Sequence, residues 1–544
     1  MTTVFSRELA ALDASGATGA PGAASERRRW LFVPYDQLTD AIGPLAEEPP
    51  EELGIVVCES PWKAARRPYH KQKLALILAN LRHFALEQAR RGVAVRHLVL
   101  DGTYAEGLRP FAKAHGPLRC LRPAERELRR DLASLVDEGL MEWLPHTGFL
   151  TTREQFDASQ KGTPWRMDAF YRKVRRDSGY LMDDRGKPMG GKFSFDAENR
   201  EPWSGEPPAA TPPRFRPDPV TQEVGELVEQ RFASHPGTLD LSTLPATASD
   251  AHELWEWAKR DCLALFGPYE DAMSVRSRNL FHSRVSSVVH LHRLLPRTLL
   301  DDVCALDIEL RCKEGFVRQV LGWREFMHHV HEATDGLRQV PHLEAGTADP
   351  DAPATPSVLG AEHPLPQAFW GQPSGLACLD EVVRSVWDEG YSHHITRLMV
   401  LSNLATLLDL SPRELTDWFW VAYTDAYDWV VEPNVLGMGT FAVGDLFTTK
   451  PYVSGAAYID RMSDYCGSCA FHPKKTCPIT SLYWDFLARH EDVLGKNPRL
   501  RMPMASLRKR AADKRERDRR TFEHVRARLD AGDALDPETL AEAL

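Results

Sequence analysis

Residues 53–100 read LGIVVCESPWKAARRPYHKQKLALILANLRHFALEQARRGVAVRHLVL. Two short apolar runs, LGIVVCE (53–59) and VAVRHLVL (93–100), flank HKQKLALILANLRHFALEQARR (70–91). In the middle segment Leu74, Ile77, Leu78, Leu81, Phe84 and Leu86 mostly follow the spacing of one helical face. Strand, helix, strand in that order implies a parallel α/β unit. A further apolar run, WLFVP (30–34), precedes it, so an α/β domain is expected over residues 29–150.

Outward from this unit the pattern changes. Residues 1–28, with SGATGAPGAASERRR, lack an apolar stretch and are expected to form a flexible tail rather than a signal peptide. Residues 151–249 are expected to link two domains, because EPWSGEPPAATPPRFRPDP (201–219) is rich in proline. From 250 to 500 the periodicity is helical, interrupted by ADPDAPATPSVLGAEHPLP (348–366). Residues 501–544 contain LRKRAADKRERDRR, a charged helical extension whose bland reading is a solvated face and whose other reading is contact with a DNA backbone. The chain has 544 residues, enough for several cores, and a net charge of −10, so any nucleic-acid site must be a local patch. No apolar run approaches the roughly 18 residues of a membrane span. Nine cysteines, an odd number in a large chain, point to a reducing compartment, and a cytoplasmic protein is expected.

Three of those cysteines cluster in YCGSCAFHPKKTCPI (465–479), where Cys466, Cys469 and Cys477 form a C-x2-C-x7-C-P pattern. A C-x2-C pair places two sulfurs on one metal and serves both zinc and iron–sulfur sites. The proline after Cys477 favours iron–sulfur. No second C-x2-C exists to complete a zinc ribbon, but His472 is an alternative zinc ligand. Spacing alone leaves iron–sulfur, zinc and no metal open. The fourth ligand is any of Cys58, Cys120, Cys262, Cys304, Cys312 and Cys378.

The cysteine loop lies within an ordered series of longer motifs. These are YDQL (35–38), HKQK (70–73), GGKFSFDAENR (190–200), FGPYEDAM (266–273) and EGFVRQVLGWREF (314–326). They continue with SHHITRLM (392–399), DAYDWVVEPNVLGM (425–438) and LYWDFLARH (482–490). In this order, over most of residues 30–500, they resemble the iron–sulfur bacterial cryptochromes and photolyases, the prokaryotic (6-4) photolyase branch. The resemblance implies an α/β antenna domain (Rossmann-like), followed by an all-helical domain that cradles FAD. It also implies a 4Fe–4S cluster and a 6,7-dimethyl-8-ribityllumazine antenna. It makes Cys378 the fourth cluster ligand, with Cys466, Cys469 and Cys477. The loop between Cys469 and Cys477 is shorter than is common in that family.

The same resemblance implies the site residues. His393 and His394 open an apolar helix and are expected on the lesion and flavin side, where a histidine can give a proton near neutral pH. Tyr269, His282, Ser283 and Ser286 are expected at FAD, with Arg324 on its pyrophosphate and Trp323 near the DNA pocket. Asp425, Asp428 and Asn434 are expected on the ribityl chain and isoalloxazine, with Asn434 opposite N5. His290 and His292 stand where the family usually has Asn and Gly, so flavin contacts at those two positions are not carried over. Trp370 and Trp418 fall at electron-relay positions. Phe419 occupies a position often held by Tyr, and any branch through it should be closed. Asp36 and Glu59, at strand ends where α/β folds bind ligands, resemble the antenna contacts; the plain alternative is surface carboxylates at loop starts. The expected function is light-driven repair of (6-4) photoproducts in UV-damaged DNA by a monomer. The alternative is a blue-light photoreceptor on the same scaffold. A non-photochemical iron–sulfur nucleic-acid protein is disfavoured by the lack of a phosphate-binding G-x-x-x-x-G-K-[ST] motif.

Overall fold

Five strands, β1 (Arg29–Phe32), β2 (Leu53–Glu59), β3 (Ala94–Val99), β4 (Leu118–Leu121) and β5 (Met141–Leu144), form one parallel sheet in the order β3-β2-β1-β4-β5. The computed structural model describes residues 3–14, 28–341, 343 and 352–544. β2 is buried along its whole length, which explains its unbroken apolar run. Its Gly54 pairs with Trp30, and a side chain there would meet the Trp30 ring at 2.5 Å. The helix expected between β2 and β3 spans Lys71–Arg90. Leu74, Leu81, Phe84 and Leu86 on it are buried, while Ile77 and Leu78 face a cavity described below. The strand order reverses direction on either side of β1, and the loops after β1 and β4 therefore open a crevice at the carboxyl end of the sheet.

The N-terminal segment departs from the expected tail. Val4–Ala14 is a helix, with Phe5 buried against the α/β core. The Val4 N–H donates to Glu223 of the helix Pro219–Arg231. The remainder of that expected tail, 15–27, lies outside the described residues, as do 348–351 of the second proline-rich stretch. The expected linker is likewise partly helical, at Arg153–Ser159, Met167–Ser178 and Pro219–Arg231, while 201–218 runs without regular structure.

Beyond residue 250 the described residues are helices and loops. One apolar core is continuous from the sheet to the helices around Trp418, and a second packs residues from 156–340 against Ala354 and the segment 436–447. The α/β and helical parts are also tied by polar contacts. Buried Lys73 donates to the carbonyls of Trp420 and Ala426 at 2.7 and 2.5 Å, and Arg126 pairs with Asp335 at 2.7 Å. The extension is packed rather than free. Ala512–Asp530 lies on the helix Ile479–Arg489, burying Phe522, Val525 and Leu529, and its outward arginine Arg519 is paired with Glu516 and Glu523. No helix among the described residues is long and apolar enough to cross a membrane.

Candidate active site

The histidine pair sits where an extended strand of chain turns into a helix. His393 has extended dihedrals and caps the turn His394–Thr396, which continues as a wide π-helical stretch over Arg397–Ser402. Similar π stretches carry Trp323 and Arg324 (Arg318–Arg324) and Asn434 (Glu432–Gly439). Such bulges re-aim side chains and recur at functional sites. Across from the pair, the segment 280–292 contains three non-glycine residues at positive φ, Leu280, Arg284 and His292. His292 adopts the left-handed conformation that favours glycine. This fold stacks the His282 ring on His393, with centroids 4.2 Å apart and planes 11° from parallel. His393 is 4% exposed; burial, then the charges of His394 and Arg397, push it well below the ordinary histidine value. His394 differs: its side chain is 43% exposed, and its Nε2 lies 3.8 Å from Asp271.

Next to the histidines lies a buried ion pair. Arg397 reaches both oxygens of Asp425 at 3.0 Å, and Ser286 donates to the same carboxylate at 2.7 Å. Burial raises the Asp425 carboxyl, but Arg397, His290 and Ser286 outweigh it and bring the pKa to about 2. His290 is buried with its Nδ1 2.7 Å from the Asp425 carbonyl, and its ring packs edge-on to Trp429. Arg397 was not singled out from the sequence. A lone arginine in an apolar helix was the available signal, since burying it requires an acid partner.

An aromatic path runs from the surface to this pair. Trp370, 40% exposed, stacks on Trp387 at 5.5 Å. Trp387 meets buried Trp418 edge-on at 5.8 Å, and Trp418 meets Tyr423 at 6.0 Å. The Arg397 guanidinium lies 3.9 Å from the Tyr423 ring centre. Both indole N–H groups of Trp387 and Trp418 donate to the Phe369 carbonyl, which fixes the rings relative to each other. Trp387 and Tyr423 were missed from the sequence because nothing local marks them. Phe419 lies off the path, stacked on Tyr423 at 5.2 Å.

The four cysteines converge from two distant segments. Cys378 begins the helix Ala377–Glu389 and is buried; Cys466, Cys469 and Cys477 are half-buried beside it. Burial pushes the Cys378 thiol well above its ordinary value, with further contributions from Cys477, Cys469 and Cys466. Burial pushes Cys477 up to about 12 and Cys466 to about 11. The other cysteines are free and lie elsewhere. His472 is exposed, and its Nδ1 accepts from the Lys474 N–H within its own loop.

A cavity of about 270 Å³ opens at the carboxyl end of the sheet, between Tyr35, Glu59, Tyr104 and Glu125, with Ile77 and Tyr427 on its walls. Phe5 of the N-terminal helix forms part of its rim. Glu59 is held by Arg82 at 2.6 and 3.0 Å and by His97 at 3.1 Å. Burial alone raises its carboxyl, but His97 and Arg82 hold it at about 2. The Tyr35 and Tyr427 hydroxyls and Glu125 Oε2 are buried without partners. Asp36 lies behind this wall rather than on it. It is buried, its Oδ1 is unpartnered, and burial lifts its carboxyl to about 7. Its carbonyl takes the His292 Nδ1 contact at 2.6 Å.

The remaining expected residues divide. Tyr269, Ser283, Trp323 and Asn434 are half-buried, with the Asn434 amide donating to the Val430 carbonyl. Arg324 is almost wholly buried between Phe149 and Trp429 and pairs with Glu325, leaving Nε and Nη2 unpartnered. Asp428 faces away from Asp425, toward the α/β domain, and accepts the Glu127 N–H at 2.9 Å. Its alternation with Asp425 along DAYDW places the two carboxylates on different sides.

Residues 31–243 match the family model described as deoxyribodipyrimidine photo-lyase-related protein. The (6-4) photolyase of Agrobacterium fabrum is 33% identical over 512 residues, which span 89% of this chain and 96% of that protein. The fold is similar to a bacterial class III photolyase from Agrobacterium tumefaciens, with TM-score 0.52, 16% identity and coverage of 93% of this chain and 100% of that one. It is also similar to a cryptochrome from Synechocystis, with TM-score 0.54, 14% identity and coverage of 92% and 98%. A photolyase from Sulfolobus tokodaii, described with two FAD molecules, gives TM-score 0.51 at 13% identity over 81% of this chain and 88% of that one. An α/β domain with a parallel sheet, a helical remainder and this extent of identity have one meaning: the chain belongs to the bacterial cryptochrome and photolyase family that contains the (6-4) photolyase of Agrobacterium fabrum.

Proposed function

We propose that this protein repairs (6-4) pyrimidine photoproducts in UV-damaged DNA under blue light. The observation that carries the proposal is the convergence on one ion pair, Arg397–Asp425, of a surface-to-interior aromatic path and a histidine edge. The residues present fit FAD. Arg324 is a buried cation with two free N–H directions, suited to a diphosphate, and Asp425 with Arg397, Ser286 and Asn434 offers donors and acceptors to a flavin. When bound and reduced, FAD supplies the light-driven electron. Trp370, Trp387, Trp418 and Tyr423 offer the oxidisable rings through which an external reductant reaches the interior. His394 holds a proton at the solvent edge for the lesion, where negative charge develops. His393, kept neutral by burial, fixes the orientation of its neighbour. A lesion reaches this depth only if flipped from the duplex.

The C-x2-C-x7-C-P run and the approach of Cys378 to it support a 4Fe–4S cluster on Cys378, Cys466, Cys469 and Cys477 over a mononuclear zinc. The sheet-end cavity, with its unpartnered hydroxyls and Glu125 carboxyl, fits a polar heteroaromatic antenna such as a ribityllumazine. Glu59 would support such a ligand chiefly through Arg82 and His97, since they already occupy its oxygens. The deciding experiment exposes purified protein and a (6-4) oligonucleotide to blue light, with a cyclobutane lesion and darkness as controls. Light-dependent loss of the (6-4) lesion is expected. No repair by the fully reduced protein would replace this reading with the photoreceptor one, which the surface-reaching aromatic path also serves.

A further inference from the structure

We propose, resting on the reading of the sheet-end cavity as an antenna site, that the helix Val4–Ala14 is part of that site: Phe5 retains the ligand, and docking of the helix and binding of the ligand reinforce each other. Thr3, Phe5 and Ser6 line the cavity together with Glu59, Arg82 and Ile77. The segment that precedes the first strand thus supplies a wall of a site whose other walls come from the α/β and helical domains. Thr3 Oγ1 accepts the Ser6 N–H at 3.0 Å and so starts the helix at the cavity mouth.

Eleven residues make a helix that is marginal on its own in water, so this one is held by its seat. Phe5, Leu9 and Leu12, at i, i+4 and i+7, form the face that packs on the core, against the helices Lys71–Arg90 and Pro219–Arg231. Phe5 is 1% exposed and meets the His97 ring edge-on at 5.0 Å, and the Arg82 guanidinium lies 5.4 Å from its ring centre. His97 and Arg82 are the two side chains that hold Glu59 on the cavity wall. A second link is polar. Glu223 takes the Val4 N–H on one carboxylate oxygen and Arg82 on the other, at 2.5 Å for the arginine. Lifting the helix therefore withdraws Phe5 from the cavity, opens the Glu59 cluster to water and frees one oxygen of Glu223. A ligand in contact with Phe5 favours the docked helix. By linkage the docked helix favours the ligand by the same factor.

The test uses the full chain, FAD-loaded and dark, produced in cells that make no ribityllumazine, with 6,7-dimethyl-8-ribityllumazine as the probe. Hydrogen exchange of the peptide spanning Val4–Ala14 is followed with and without the probe, and probe fluorescence gives affinity and release rate. In the wild type the probe should slow exchange of that peptide by about 5–150-fold, the usual range for coupled sites. Deleting residues 1–14 should weaken probe affinity by the same factor, chiefly through faster release. Phe5→Ala should do so in part, and Phe5→Leu, which keeps an apolar cap, should fall between it and the wild type. Near-ultraviolet circular dichroism and flavin content check that the variants are folded. If they are not, exchange in the wild type decides, since it needs no substitution. Exchange that the probe leaves unchanged, or a folded deletion variant that binds and releases the probe as the wild type does, would overturn the proposal while leaving the antenna reading in place. A wild type that does not bind the probe would overturn both.

Discussion

His394→Ala and His393→Phe separate a proton donor from its support. His393 is 4% exposed and faces His282 at 4.2 Å, with no carboxylate paired to it. Protonating it places a charge in an apolar wall, and burial holds its pKa well below the ordinary value, so at neutral pH it is a neutral ring. His394 has the opposite environment, 43% exposed with Asp271 at 3.8 Å, so its ring reaches solvent and faces a carboxylate. A positioned general acid contributes about 10²–10⁴-fold, or roughly 3–5 kcal/mol of barrier. His394→Ala should therefore lose about two to four orders of magnitude in repair. Lesion affinity should stay near normal, because it comes mostly from contacts to the DNA backbone. His393→Phe preserves an aromatic ring on His282 and should lose far less. The assay is single-turnover repair of a (6-4) oligonucleotide by chemically pre-reduced protein under saturating blue light, which bypasses the antenna and the aromatic path. Wild-type repair by His394→Ala would refute the assignment. Equal losses in the two variants would show instead that the pair acts as one structural unit.

The other predictions address the path, the cluster and the cavity. Trp387→Phe should slow photoreduction of bound flavin by an external reductant as strongly as Trp418→Phe, while leaving repair by pre-reduced protein intact; transient absorption measures both. Phe419→Tyr should leave photoreduction equal or faster, because that ring stacks on Tyr423 beside the path. Iron analysis of anaerobic wild-type protein should give about four irons per chain and Cys378→Ala should abolish that stoichiometry; one zinc per chain without iron in the wild type would refute the cluster. Glu59→Gln should destabilise the α/β domain by about 1–3 kcal/mol at neutral pH, because it leaves buried Arg82 with Glu223 as its remaining carboxylate partner. Because the folded pKa of Glu59, about 2, lies below its ordinary 4.5, its contribution of roughly 3 kcal/mol is complete above pH 4.5 and fades as pH falls toward 2. The variant should lack this acid limb in urea unfolding, and an unchanged limb would show that another group carries it.

What the sequence disclosed follows from how local each signal is. Alternation of apolar runs with a helical face needs only its own segment, so the parallel sheet and the helix Lys71–Arg90 were legible. The N-terminal helix was not, because its stability comes from Phe5 against the core and from Glu223, more than 200 residues away. The expected linker hid its helices for a related reason: proline density in 201–219 describes that stretch alone, and the flanking helices are fixed by the surfaces they cover. Motif resemblance singled out the histidines, the cysteines and two tryptophans. It did not single out Arg397, Trp387 or Tyr423, whose contacts come from distant segments. Asp428 shows the converse: it shares a motif with Asp425, yet its carboxylate serves the seam with the α/β domain.

The conformation of His292 and its neighbour His290 is best understood from the backbone. A non-glycine residue at positive φ carries strain, though histidine is among the residues that tolerate it. Here the cost is offset by contacts that tie the two domains together: His292 Nδ1 to the Asp36 carbonyl, and the Leu38 N–H to the Leu291 carbonyl at 2.9 Å. His290 Nδ1 contacts the Asp425 carbonyl, so the same short segment touches both the antenna side and the central ion pair. Burial, with Arg324 adding to it, holds His290 at about 4, so the contact is made by a neutral ring that adds no charge beside Arg397. The two histidines therefore leave the Arg397–Asp425 balance intact and form a mechanical link from sheet to pocket. On this reasoning His292→Gly should relieve the backbone strain yet lose the Asp36 contact, and its effect should be read in the coupling between the domains rather than in the chemistry at His394. Separate thermal transitions for the two domains in that variant, where the wild type shows one, would be the expected result; a single unchanged transition would show that the Leu38–Leu291 and Arg126–Asp335 contacts suffice.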